Sequence, residues 1–183
     1  MPEGTWDLGL DPETTRQMLL AKLEEAVDKA LEGSVRARKR VGKLIVLLTQ
    51  LDNAARVSEA HEVVKAWLAL GAPANIRKVQ VRVRKQKRKP EKRMIKIPIE
   101  AVRAARQVGL KPEDVGTVKA VKMLAQRLGI NTHSLRYAGI TKMALRGLTD
   151  AIIGKITGHR KLDMIRVYIQ KLKARELLDE MVP

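Results

Sequence analysis

The sequence predicts a mainly α-helical domain with a small antiparallel β-hairpin, an α+β fold. Over most of the 183 residues, apolar side chains recur at the spacing of one helix face. One segment, residues 79–99, instead alternates apolar and polar side chains, as the strands of a hairpin do. The length suits one domain, and its core must be aliphatic because the chain contains no Phe.

Two predicted helices begin the chain. Residues 12–33 are amphipathic and follow Asp11, a residue type that caps helix N-termini. A second helix, from about residue 34 to 51, opens with the basic turn VRARKR and continues into the apolar run LIVLLTQL. The basic turn suits phosphate contact and a solvated face equally well. We expect residues 1–33 to be an N-terminal helical extension and residues 34–183 to be the main domain, ending in a tail helix.

The predicted hairpin lies in the middle of the chain, and its tip is rich in Lys and Arg. Its apolar positions are Val79, Val81, Val83, Ile95, Ile97 and Ile99. So dense a run of charge is also typical of a disordered polybasic arm, but the period of two favours a hairpin. A short helix over residues 100–108 and a further helix that ends at Gly129 follow as scaffold.

Two of the three histidines and both tyrosines fall within one C-terminal segment. His133 and Arg136 are three positions apart and share one face of a predicted helix, which Asn131 or Thr132 caps. The next helix ends before a turn that carries His159. A third helix then carries a tyrosine, the last one in the chain, in its second turn.

Two packing expectations accompany these helices. The helix that precedes His159 is expected to bury Ile152, Ile153 and Ile156. Tyr137 points away from the face of its neighbour Arg136, so we expect it to pack rather than react.

The order and spacing of these pieces resemble the C-terminal signature of the tyrosine recombinases, the integrase family. The matching elements are His133-Ser134-Leu135-Arg136, the Gly158-His159 pair at the end of the next helix, and Tyr168. The resemblance covers residues 34–180 and implies the tyrosine recombinase catalytic-domain fold. It does not reach the N-terminal core-binding domain with which most members close around DNA. The chain is therefore expected to be a fragment, a natural short form or half of a split gene.

The resemblance also assigns an earlier arginine and a lysine. The family carries its first catalytic arginine in a Gly-Leu-Arg-x-x-Glu turn, and Arg56 with Glu59 matches it, although the usual Thr-Gly is absent. Without the resemblance, this pair would be interpreted as a surface salt bridge within one helix. The family places a catalytic lysine near the end of the outgoing hairpin strand, where Lys85 fits first and Lys87 second.

The resemblance implies that the arginines bind a phosphodiester. Guanidinium groups are planar and always protonated, so Arg56 and Arg136 suit non-bridging oxygens whose negative charge grows on nucleophilic attack. His159 would donate a further hydrogen bond to the same phosphate.

The remaining candidates supply the covalent chemistry. Tyr168 would be the nucleophile and would form a covalent 3′-phosphotyrosyl bond. The resemblance further implies that His133 is the general base for the tyrosine and that Lys85 is the acid for the leaving 5′-oxygen. The sequence contains no cysteine, no acidic metal cluster and no phosphate-binding glycine loop, so we expect neither a metal nor a cofactor.

The net charge of the chain indicates the class of its binding partner. The chain has 37 Lys and Arg against 20 Asp and Glu, a net charge of +17, which indicates a polyanion and fits double-stranded DNA. The first residues do not form a secretory signal, and the longest apolar run, residues 44–48, is too short to cross a membrane. We expect a cytoplasmic protein without membrane contact. The low asparagine content and abundant charge indicate a thermophilic source.

Three functions fit this sequence. The first is a site-specific recombinase or integrase, including one that integrates a viral genome. The second is a type IB topoisomerase-like enzyme, and the third is a catalytically inert DNA-binding module of the same fold. By the resemblance, the C-terminal tail packs on a neighbouring subunit of a homotetramer on DNA; packing back on its own domain is the alternative.

Overall fold

The computed structural model describes residues 8–83 and 90–182. Within these ranges the fold consists of eight α-helices, one 3-10 helix over Pro112–Val115 and one β-hairpin. The helices are α1 (Pro12–Leu31), α2 (Val35–Asn53), α3 (Val57–Ala69), α4 (Ile99–Val108), α5 (Val118–Arg127), α6 (Thr132–Leu145), α7 (Asp150–Thr157) and α8 (Asp163–Met181), and the strands are β1 (Lys78–Arg82) and β2 (Lys92–Lys96). The predicted mainly helical fold with a small antiparallel sheet is confirmed.

Helix α2 lies at the centre of the fold. Every residue from Val41 to Leu51 is buried except Lys43, because helices α1, α3, α4, α5 and α6 pack around it. A helix that is apolar on all sides is stable only in such a position. The C-terminal end of α2 therefore reaches the interior, where it contacts the residues of the candidate site.

Helix α1 packs against α2, α4 and α6, and its apolar face belongs to the same core cluster as α2. Ion pairs reinforce this contact. Arg16 on α1 contacts Asp52 on α2 at 2.9 Å and Glu100 on α4 at 3.2 Å. Lys142 on α6 contacts the same Asp52 at 3.2 Å. The four helices are thus joined by one network of partly buried charges.

The hairpin pairs in antiparallel register, with Val81 opposite Arg93. Val81 and Ile95 are buried, so one face of the hairpin is directed into the core as predicted. Ile99 is the exception, since it was expected on the return strand and instead begins α4 with 40% of its surface exposed. The preceding Pro98 has no N–H to donate to the hairpin, so the strand ends before it, and Pro98 is the N-cap of α4.

Helices α7 and α8 pack against α6 through a second, smaller apolar cluster; its buried members are Ala54, Ile140, Ile153 and Ile165. Of the three isoleucines expected to be buried on α7, Ile153 is buried, whereas Ile152 and Ile156 are 50% and 38% exposed. The prediction for those two was wrong because α7 is short and buries only one narrow face against its neighbours.

Candidate active site

Arg136 lies on α6 in a buried position. The side chain of Asn131 accepts a hydrogen bond from the Ser134 amide at 2.7 Å, so Asn131 rather than Thr132 caps the helix. This start places His133 in the first turn, where it is exposed, and Arg136 one turn later at 7% exposure. The Arg136 Nε donates to the backbone carbonyl of Ala54 at 3.2 Å. That bond orients the guanidinium from the end of α2.

The turn before Arg56 forms without the usual glycine. Ala54, at the position where the family pattern has glycine, adopts a left-handed conformation with φ of 47° and caps α2. Glycine adopts this conformation without steric cost, whereas alanine pays about 1–2 kcal/mol. Because Ala54 is fully buried, the surrounding packing holds this strained conformation. Its carbonyl then points toward Arg136.

Arg56 is held at the start of α3 by Glu59. The carboxylate of Glu59 accepts from the Arg56 amide at 3.1 Å and from its Nη1 at 3.4 Å, so one side chain binds both the backbone and the guanidinium of Arg56. Glu59 is completely buried, and the Arg56 side chain is 24% exposed. The pair is therefore not a surface salt bridge, and it fixes a cation whose outer face remains accessible.

His159 follows the left-handed Gly158 that ends α7. The Thr157 hydroxyl donates its single hydrogen to the Ile153 carbonyl at 2.7 Å, so it can only accept from His159 Nδ1, 2.6 Å away. These contacts assign the neutral tautomer with hydrogen on Nδ1. The other ring nitrogen, Nε2, is then an acceptor that faces Arg136 Nη2 at 3.2 Å.

Burial and neighbouring cations control protonation in this cluster. Burial, followed by the charges of Arg136, Arg56 and Arg93, lowers the pKa of His159 to about 4, so this imidazole is neutral at pH 7. Burial, followed by the charge of Arg56, lowers the pKa of Arg136 to about 10. Arg136 nevertheless stays protonated at neutral pH. An incoming phosphate would offset the repulsion and favour protonation of His159.

Arg56, Arg136 and His133 line one pocket of about 180 Å³. Its other lining residues are Gln50, Val57, Ser58, Lys122 and Thr132. His159 joins the cluster through its contact with Arg136. The pocket is thus bounded by guanidinium, ammonium and imidazole groups, which is a chemistry suited to a phosphate oxyanion.

Tyr168 occupies a different place. Its ring stacks on Tyr137, with ring centroids 5.0 Å apart and an interplanar angle of 19°. Both tyrosines line a second pocket of about 420 Å³ between the start of α1, α6 and α8. The Tyr137 hydroxyl donates to the Met164 sulfur at 3.7 Å. Tyr137 packs as predicted, and its partner is the candidate nucleophile itself.

Of the six candidate residues, four are brought together at the cluster: Arg56, His133, Arg136 and His159. Lys85 and its alternative Lys87 lie outside the described residues. Two further polar residues of the pocket, Gln50 and Ser58, carry no motif that identifies them in the sequence.

Arg93 is the other residue that sequence reasoning missed. It lies on β2 at 5% exposure and contacts Glu59 at 3.5 Å behind the pocket. A signal was available, because Arg93 has the same strand parity as the inward-facing Ile95 and Ile97.

Comparison with protein-family models gives no match. Two proteins match 96% of this chain at 32% identity. One is an uncharacterized protein of Methanocaldococcus jannaschii, of which 88% is covered. The other is the provisionally named integrase ORF241 of Acidianus two-tailed virus, of which 68% is covered.

Among solved structures, the crystal structure of XerA recombinase matches 87% of the chain with a TM-score of 0.54 and 17% identity. The match spans 64% of the XerA chain. At this identity the likeness concerns the fold, which is that of the recombinase catalytic domain. Together with the viral relative, it shows that this chain belongs to the tyrosine recombinase/integrase family. No helix within residues 8–83 and 90–182 has the length and apolar character needed to span a membrane.

Proposed function

We propose that this chain is a site-specific DNA recombinase or integrase that cleaves and rejoins strands through a covalent 3′-phosphotyrosyl intermediate, without metal or ATP. The observation that carries the proposal is the convergence of Arg56, Arg136 and His159 from three separate parts of the chain. Three segments far apart in sequence would have no packing reason to bring these polar groups together. A bound phosphodiester supplies that reason, because its charge compensates the arginines.

The chemical step divides among the candidate residues. Arg56 and Arg136 hold the non-bridging oxygens, and His159 donates from Nε2 once the phosphate has favoured its protonation. The Tyr168 oxygen attacks phosphorus and forms the P–O bond as the bond to the 5′-oxygen breaks.

Proton transfers accompany both bonds. The Tyr168 hydroxyl proton passes to the general base His133, which lines the phosphate pocket. The leaving 5′-oxygen takes a proton from Lys85, as the family resemblance implies. Attack by the free 5′-hydroxyl of a partner strand reverses these chemical steps and rejoins the DNA. The energy of the phosphodiester is therefore conserved, and no nucleotide is consumed.

The stack on Tyr137 sets a geometric condition for the attack. Tyr168 lines a pocket that Arg56 and Arg136 do not line, so α8 must present its hydroxyl to the phosphate when DNA binds. Only one residue of α8, Ile165, is buried, which leaves this helix weakly held against the domain. A movement of α8 therefore disrupts little of the core.

The C-terminal tail supports the further proposal of a homotetramer on DNA. Four apolar side chains at the end of α8 are 49–78% exposed: Leu177, Leu178, Met181 and Val182. Exposed apolar residues grouped at one helix end are typical of a protein contact. Light scattering on a DNA duplex with the Leu177→Lys and Leu178→Lys double variant checks this proposal. A tetramer that survives this double substitution would refute the role of the tail.

The proposal for cleavage is tested with a nicked suicide duplex, on which a covalent product cannot religate. The wild type, incubated with EDTA and no nucleotide, is expected to give a slowly migrating protein–DNA band on a denaturing gel. Tyr168→Phe removes the nucleophile and is expected to abolish the band. Tyr137→Phe is the matched control, since it removes the other tyrosine hydroxyl but keeps the stacked ring.

The outcomes separate the candidate functions. A band that persists in Tyr168→Phe would refute the assignment of the nucleophile. Absence of a band with the wild type on every duplex, despite DNA binding, would favour the inert DNA-binding module. Relaxation of any supercoiled plasmid without a paired site would instead favour topoisomerase-like activity.

A further inference from the structure

Arg93 occupies a position that packing alone does not explain. It faces inward from β2, opposite Val81, where an apolar residue would continue the core face of the hairpin. A guanidinium at 5% exposure carries a large desolvation cost, which lowers its pKa despite the nearby Glu59 carboxylate. Its Nε is buried without a hydrogen-bond partner among the described residues. An apolar side chain of similar volume would often be at least as stable here.

The guanidinium of Arg93 contacts three separate segments. Its Nη2 donates to the Asn53 carbonyl at 2.7 Å, at the end of α2. Its Nη1 donates to the Thr157 carbonyl at 3.1 Å, at the end of α7. The same Nη1 lies 3.5 Å from the Glu59 carboxylate, in the first turn of α3. A planar group with five N–H donors is suited to such a three-way contact.

Each of these contacts lies directly behind one of the phosphate-binding groups. Asn53 precedes Ala54, whose carbonyl accepts from Arg136. Glu59 accepts from both the amide and the guanidinium of Arg56. Thr157 accepts from His159 Nδ1 and thereby sets its tautomer. Arg93 itself is absent from the lining of the phosphate pocket.

We infer that Arg93 is a positioning residue. It places Arg56, Arg136 and His159 relative to one another by contacting the backbone or side-chain group that holds each of them. The inference rests on the proposed function and adds to it a residue that acts through the catalytic groups rather than on DNA. Its charge also contributes to keeping His159 neutral in the absence of phosphate.

Two substitutions separate geometry from charge. Arg93→Met removes the donors and the charge while filling similar space. Arg93→Lys keeps the charge beside Glu59, so that carboxylate is not left unpaired, but one ammonium cannot reproduce the fixed fork of a guanidinium. Arg103→Met is the matched control, since Arg103 is exposed on α4 and does not line the phosphate pocket.

The expected results differ between binding and chemistry. Both Arg93 variants are expected to bind duplex DNA within about threefold of the wild type and to form the covalent band about 10–100-fold more slowly, because small misplacements of catalytic groups cost rates of this order. Arg103→Met is expected to match the wild type in both. A cleavage rate within threefold of the wild type in either folded Arg93 variant overturns the inference.

A second readout does not require cleavage. The pKa of His159, followed by NMR of the imidazole, is expected to rise in Arg93→Met and to stay near the wild-type value in Arg93→Lys. The apparent affinity for inorganic phosphate, measured through the same resonance, is expected to fall in both variants. If the wild type forms no covalent band, the proposed function fails, and the inference is then decided by this titration alone. Phosphate affinity unchanged in both variants refutes the positioning role.

Discussion

Gly139 marks the closest approach of α6 to the end of α2. A Cβ at this position would lie 2.5 Å from the Leu51 carbonyl oxygen and 2.8 Å from the Ala54 Cα, both of which are backbone atoms. Backbone at the end of a buried helix cannot rotate away as a flexible side chain can. We therefore expect Gly139→Ala to push α6 away from α2.

Two opposing contributions determine how much Gly139→Ala changes the free energy of unfolding. Alanine in a helix interior is favoured over glycine by about 1 kcal/mol. Overpacking of a filled core costs about 1–3 kcal/mol, and the rigid contacts here place the cost at the upper end. The expected net loss is about 1–2 kcal/mol in the free energy of unfolding. For a domain of this size, that loss lowers Tm by about 2–8 °C.

The same displacement affects the site. Arg136 is anchored to the Ala54 carbonyl from α6, so separation of the two helices lengthens that 3.2 Å bond. We expect covalent band formation on the suicide duplex to fall at least tenfold, because the guanidinium loses its orientation.

Differential scanning calorimetry and the suicide-duplex gel measure the two effects. Gly154→Ala on α7 is the matched control: its Cβ would meet the tip of the Leu162 side chain, which can move, with the His159 carbonyl oxygen at 3.3 Å. We expect its Tm to change less than that of Gly139→Ala. A Gly139→Ala protein that is as stable as the wild type, or less perturbed than Gly154→Ala, would refute the reasoning.

Three further predictions concern the buried polar groups behind the pocket. Burial lowers the pKa of His159 from 6.5 to about 4, so the unfolded chain takes up the proton first and the free energy of unfolding falls as pH drops through this interval. After discounting for partial exposure, urea denaturation should show a loss of about 1–2 kcal/mol between pH 7 and 4 that His159→Gln lacks. Equal losses in the two proteins would contradict this prediction. Glu59→Gln leaves Arg93 buried without its anion, so the free energy of unfolding should fall by about 2–4 kcal/mol in the same assay, and a loss below 1 kcal/mol would argue against the pairing. Thr157→Val removes the acceptor for His159 Nδ1–H, so nitrogen NMR shifts should show a lower share of that tautomer; an unchanged tautomer would show that Thr157 does not set it.

The family signature is visible in the sequence because its elements are local. His133 and Arg136 share a helix face by spacing alone, and Asn131 caps that helix through a bond to an amide three residues away. The glycine that precedes His159 ends α7 by its left-handed conformation. Caps, stops and periodicity depend on neighbours within one or two turns, so residue types are sufficient to predict them.

Residue spacing alone did not show that the turn before Arg56 could form without glycine. Ala54 adopts the left-handed conformation because it is completely buried in the cluster that α6, α7 and α8 complete. The energy that holds it there comes from residues about 80–110 positions later in the chain. A missing Thr-Gly is thus compatible with the turn, and no local pattern indicates this.

Residue types are sufficient to predict the helical class, the hairpin, the caps and the order of the signature residues, because each depends on short-range spacing and on the chemistry of single side chains. Only the packing of distant segments places Arg93 in a buried position that contacts the ends of α2 and α7, stacks Tyr168 on Tyr137, and buries Ile153 while Ile152 and Ile156 stay exposed. These outcomes depend on which surfaces meet when segments distant in sequence pack together. Burial and long-range charge pairing are properties of that packing, and no window of sequence contains them.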